Sequence, residues 1–195
     1  MKILALGDSL INGYGVDEPN KIRNIIAISL EVEVVNKGIN GATSDMGLDL
    51  LEAGYTWALI SYGTNDVFQG KFDNYFDNMS AIIEKLLSHG TKVILISVHP
   101  IMYDYECPDL YFFSRHDIDA YQDKTPNEYL ESVYMVQKKL VKTYDIEFVD
   151  LFYDENFKCE SMILNINHNT NDGVHYSNMG SKYVASKVLD IIKNG

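Results

Sequence analysis

Four short segments of this chain carry side chains whose types and spacing could do chemistry. Gly7-Asp8-Ser9-Leu10 sets a hydroxyl beside a carboxylate. In Asn36-Lys37-Gly38-Ile39-Asn40-Gly41-Ala42-Thr43-Ser44, two glycines allow a tight turn and a close approach of backbone to a ligand. Gly63-Thr64-Asn65-Asp66 supplies an amide that can donate to an oxyanion, with an acid that could cap the next helix or brace the loop. Asn171-Asp172-Gly173-Val174-His175 places a carboxylate three positions before an imidazole, close enough for the acid to orient the base. A serine needs such a base, because its hydroxyl is a weak nucleophile until its proton is removed. Each segment also has a plainer reading. Asp8, Ser9 and Asp66 suit helix caps, and Asn40-Gly41 suits an ordinary turn. Asp172 and His175 suit a surface loop or, with His168, half of a metal site that lacks a dense ligand cluster.

These segments need elements to position them, and the hydrophobic pattern supplies a regular alternation. Short apolar runs at residues 2–7, 32–36, 56–62, 92–98 and 146–150 read as strands. Helical spacing falls at 20–30, 43–51, 126–144 and 177–192, and from Phe72 through Leu86 to a stop at His89-Gly90. Strands that alternate with helices pair in parallel through right-handed crossovers, which predicts an α/β fold: a three-layer α/β/α sandwich on a five-stranded parallel sheet. Ligands of such sheets bind beyond the carboxyl ends of the strands. Ser9, Gly41, Asn65 and the pair Asp172/His175 all fall at that edge. The chain shows no repeat or linker, so residues 1–195 read as one domain, with a lid or insert at about 99–125.

Composition sets the outer bounds. The 195 residues suit one domain, and 46% hydrophobic content argues against disorder. With 16 basic against 28 acidic residues the net charge is −12, which argues against nucleic acid and against anionic membrane surfaces as partners. Cys107 and Cys159 lie 52 positions apart with no C-x-x-C pair, which leaves one long-range bridge open but favours buried or idle thiols in a reducing cytoplasm. The apolar run before Gly7-Asp8 is shorter than the roughly 7–15 residues of a secretion signal, and no run approaches the about 20 of a membrane span. The expectation is a cytoplasmic protein.

Singly these signals are weak; their order along the chain is specific. Gly7-Asp8-Ser9-Leu10, Asn36-x-Gly38-x-x-Gly41, Gly63-Thr64-Asn65-Asp66 and Asp172-x-x-His175 together resemble the four blocks of the SGNH (GDSL-type) serine hydrolases, in family order from residue 7 to 175. The resemblance implies a flavodoxin-like sandwich and hydrolysis of esters or thioesters without metal or organic cofactor. It implies Ser9 as nucleophile, His175 as general base and then acid, and Asp172 as the group that orients His175. The oxyanion hole would comprise the Ser9 and Gly41 backbone N–H groups and the Asn65 amide. No G-x-S-x-G is present, so the nucleophile elbow of α/β-hydrolases is not offered.

Substrate is read from what surrounds those blocks. Asp8, His99, Pro100 and Tyr103 are candidates for the substrate pocket, although a structural histidine is the plainer reading of His99. In segment 99–125, Tyr103, Tyr105, Tyr111, Phe112, Phe113 and Tyr121 alternate with six acids, giving a local charge of −4 against Arg115 and Lys124. That composition suits either a lid packed on the domain or aromatic contacts to an acyl chain or sugar, and it disfavours anionic substrates. The expected partner is a small acyl ester, short-chain or acetyl, with carbohydrate esters included. Thioester hydrolysis or acyl transfer would use the same residues. A non-catalytic flavodoxin-like binding module and a phosphate-handling enzyme built on Asp8 are the rival functions; the latter lacks a P-loop.

Overall fold

The computed structural model describes residues 1–102, 124–157, 159–163 and 173–195. Five strands, β1 (Lys2–Gly7), β2 (Glu33–Gly38), β3 (Trp57–Ser61), β4 (Lys92–Ile96) and β5 (Glu147–Val149), form one parallel sheet in the order β2-β1-β3-β4-β5. Strand β3 is buried along its whole length and β1 from Ile3 onward, as expected of central parallel strands covered on both faces. Alternate residues then supply two cores. Leu4, Leu6, Ala58, Ile60 and Leu95 pack under α4 (Tyr75–Ser88) and α5 (Pro126–Tyr144). Ile3, Ala5, Leu59, Ile94 and Ile96 pack under α2 (Ile22–Leu30) and α7 (Asn178–Asn194). The remaining helices, α1 (Ser9–Asn12), α3 (Thr64–Phe68) and α6 (Cys159–Met162), are short. The three-layer α/β/α sandwich is therefore observed.

The register aligns the strand ends that matter. Gly7 pairs with Gly38 on one side and with Ser61 on the other, so the segments after β1, β2 and β3 leave the sheet side by side. β1 lies between β2 and β3, which makes the β1/β3 edge the switch point of the sheet, where a crevice opens.

Several boundaries differ from the sequence expectation for physical reasons. β2 runs on to Gly38 because its pairing with β1 continues to Gly7. β4 stops at Ile96, where its partner β5 ends at Val149 and the Val98 N–H turns away to the buried Gln137 Oε1. The helix expected at 43–51 is two 3-10 turns, Ser44–Met46 and Leu48–Leu50. There, Met46 N–H and Gly47 N–H bond three residues back, to Thr43 and Ser44 carbonyls. Ser44 is meanwhile held from outside the turn by Asp66, which fixes the tight geometry. Asp172, Tyr103, His168 and residues 103–123 of the expected insert lie outside the described residues.

Candidate active site

Asp8 folds the chain at the end of β1. Its backbone N–H donates to the Ser61 carbonyl at 3.3 Å, and its Oδ1 accepts the Leu10 N–H at 2.9 Å, capping α1. Ser9 is thereby set in the first turn of α1, half-buried at the sheet edge. The asparagine block follows β3 through Gly63, whose φ of 132° is accessible to glycine alone without strain. An added Cβ there would also lie 2.6 Å from Val133 Cγ1, so the turn into Asn65 has neither torsional nor spatial room for a side chain. Gly41 has φ 77° and open space around it, so conformation rather than packing calls for glycine.

His175 arrives from the other end of the chain. Its segment is tied on both sides. Met102 N–H donates to the Gly173 carbonyl at 2.8 Å, and Ser177 N–H to the Met162 carbonyl at 2.9 Å. An antiparallel bridge joins Ile163 to Tyr176 between those ties. The result is a contact of 2.7 Å between His175 Nε2 and Ser9 Oγ, a hydrogen bond that the hydroxyl donates when this nitrogen carries no proton. Tyr14 packs on the imidazole with ring centroids 4.6 Å apart. Sequence reasoning missed Tyr14; its position between Gly13 and Gly15, one turn beyond Ser9, was the available signal.

Asn65 Nδ2 lies 3.1 Å from the Ala42 carbonyl and 3.3 Å from Asp8 Oδ2, so its amino end faces the segments that carry Gly41 and Ser9. Asp66 braces rather than caps: α3 has no side-chain cap, and Asp66 Oδ1 accepts the Ser44 N–H at 2.9 Å and the Ser44 hydroxyl. Asn78 Nδ2 adds a bond to Ser44 Oγ at 3.1 Å, and Gln69 Nε2 one to the Gly41 carbonyl at 2.8 Å. Burial pushes both carboxyls up, Asp66 above its ordinary range and Asp8 to about 7. Desolvation dominates at Asp8; the Leu10 N–H and the charge of His175 oppose it, and the Asp66 charge adds to it.

Of the residues assigned to a substrate pocket, two are buried. His99 is 1% exposed, packed between the Phe157 and Tyr176 rings at 5.4 and 5.0 Å, with Nδ1 2.9 Å from the Pro100 carbonyl. Asp8 is likewise 1% exposed and acts as a cap. Pro100 is half-buried.

Residues 5–183 match the model of the GDSL-like lipase/acylhydrolase family. The chain belongs to that family. This GDSL-family enzyme is therefore an ester hydrolase. It is 25% identical over 168 positions to the uncharacterized lipoprotein YqeF of Bacillus subtilis, covering 76% of this chain and 69% of that protein. Among solved structures it resembles the psychrotrophic esterase EstA of Pseudoalteromonas sp., in a form inhibited by monoethylphosphonate. The TM-score is 0.69 at 19% identity over 99% of this chain and 97% of the other. It resembles the acetyl xylan esterase AlAXEase with a TM-score of 0.72 at 20% identity, over 98% and 100% of the two chains. Likenesses at that identity establish the common fold. No described helix of the GDSL-family enzyme is long and apolar enough to cross a membrane.

Proposed function

We propose that residues 1–195 form one hydrolase domain that cleaves short-chain carboxylic esters, acetyl esters foremost, through an acyl-enzyme on Ser9. The observation that carries this reading is the 2.7 Å approach of His175 Nε2 to Ser9 Oγ, made across 166 residues at the carboxyl edge of the sheet. Ser9 Oγ attacks the ester carbonyl carbon while His175 Nε2 takes the hydroxyl proton. The charge that forms on the carbonyl oxygen meets N–H groups of Ser9, Gly41 and Asn65. Collapse expels the alcohol, which leaves with the proton from His175. Water then attacks the acyl-serine by the same route, freeing the acid and restoring both residues. Asp172 is assigned, from its place three positions before His175, to hold the imidazole in the tautomer that accepts at Nε2.

The substrate class rests on charge. A net charge of −12, with −4 concentrated in segment 99–125, disfavours anionic esters and favours neutral ones. Intact-mass analysis after treatment with an activated alkyl phosphonate is expected to show one adduct, mapping to Ser9. In the presence of EDTA, p-nitrophenyl acetate and acetylated sugars are expected to turn over faster than long-chain esters or acyl-thioesters. Labelling at another residue, or turnover of thioesters alone, would overturn the respective half of the reading. We assign the enzyme to the cytoplasm on its two distant cysteines. Recovery of the activity with the membrane fraction, as the lipoprotein name of the Bacillus relative would suggest, contradicts that assignment.

A further inference from the structure

Asp8 does two things at once, and only a carboxyl group can do both. Oδ1 accepts the Leu10 N–H at 2.9 Å, and Oδ2 faces Asn65 Nδ2 at 3.3 Å. A carboxylate can accept on either oxygen, whereas a carboxamide offers one acceptor atom and one donor. The two ends of the Asn65 amide have nearly the same shape, so its neighbours decide which end faces where. Both neighbours here, the Ala42 carbonyl and Asp8 Oδ2, are acceptors, and both therefore demand the amino end.

We propose that Asp8 is a positioning residue that acts through Asn65: its carboxyl holds the carboxamide with the amino end toward Ser9 and lends a resting acceptor to the N–H that a developing oxyanion takes over. The inference rests on the oxyanion role proposed above for Asn65. The length of the Asp8 contact suits a lender. At 3.3 Å it is longer than the roughly 2.9–3.0 Å of a typical N–H···O bond, so the substrate oxygen competes for that proton at little cost. The groups whose charge Asp8 feels, or that feel its charge, are His175, Asp66 and the phenols of Tyr62, Tyr75 and Tyr176.

The test is a double-mutant cycle on kcat and KM with p-nitrophenyl acetate, using Asp8→Asn, Asn65→Ala and the double variant. Asn65→Ala is expected to lower kcat by about 10²–10³, the usual effect of losing one oxyanion donor. Asp8→Asn can donate to the Asn65 carbonyl oxygen and turn the amide round; it is expected to lower kcat by about 10–10² with KM within about twofold. In the double variant kcat should equal that of Asn65→Ala within about threefold, because Asp8 has nothing left to position. Asp8→Ser repeats the cycle with a good cap too short to reach Asn65, and carries the test if Asp8→Asn does not fold. An equal loss from Asp8→Asn in both backgrounds overturns the proposal, since it would place the effect in the charge on His175 or in the fold. Wild-type kcat in Asp8→Asn overturns it as well. Wild-type kcat in Asn65→Ala would instead overturn the oxyanion role of Asn65, and the positioning role with it. Phosphonate labelling of Ser9 tests the esterase reading separately from either outcome.

Discussion

Replacing Ser9 with alanine is expected to lower kcat for p-nitrophenyl acetate by about 10⁴–10⁶, the range over which triad serines act. Alanine removes the hydroxyl that contacts His175 Nε2 at 2.7 Å and would carry the acyl group. Water activated by His175 would be the remaining route, with the backbone donors left in place, so a small residual rate is expected. Folding should be untouched. Alanine is a better helix former than serine, and Asp8 still caps α1 through the Leu10 N–H. Initial rates and thermal melting on the same preparation decide the matter. A variant that melts like wild type and keeps more than about a hundredth of its rate would remove Ser9 from the mechanism.

The second large effect is on stability. Burial raises the Asp8 carboxyl from 3.8 to about 7 in the folded chain. A raised carboxyl destabilises the fold once ionised. The penalty is absent below pH 3.8, grows as pH rises and is complete above about 7. At about 1.4 kcal/mol per pH unit it reaches on the order of 4 kcal/mol, and less than half of that at pH 5. Asp8→Asn abolishes the ionisation but, once the Asn65 amide turns round to meet it, the Ala42 carbonyl loses its bond from Asn65 Nδ2, which costs about 1–2 kcal/mol. The variant should therefore melt close to wild type at pH 5. At pH 8 it should melt higher by about 5–10 °C, given roughly 2–4 °C per kcal/mol for a chain of this size. A difference that does not change between the two pH values would show that the Asp8 carboxyl does not titrate in this window. A variant both more stable and slower would place Asp8 among the groups that a fold tolerates for the sake of its reaction.

What the sequence disclosed and withheld divides along physical lines. The apolar runs of β1, β3 and β4 and the helical periodicity of α4, α5 and α7 were legible because each element buries a continuous face. The α5 start was legible too, since Pro126 opens the helix and Thr125 and Glu128 form a capping box. The 3-10 turns after Gly41 were not, because they depend on Asp66 reaching back across 22 residues to Ser44. His99 was placed by a rule about strand ends, which locates a residue at the edge but says nothing about which side its ring takes; Phe157 and Tyr176 decide that. Asp8 and Asn65 were each visible as types, but their meeting depends on the register of β1 on β3. Tyr14 was marked only by the glycines on either side of it.

The route by which His175 reaches Ser9 also bears on when the enzyme becomes active. A chain made as far as α3 contains Ser9, Gly41 and Asn65, the residues assigned above to the nucleophile and the oxyanion donors. It lacks a base until the segment after Gly173 is stitched to Met102 and Met162 and α7 docks beside α2. On that assignment synthesis delivers the oxyanion donors first and the proton acceptor last. With Ser9 as nucleophile and His175 as base, as proposed above, a chain that ends before Gly173 has the first without the second.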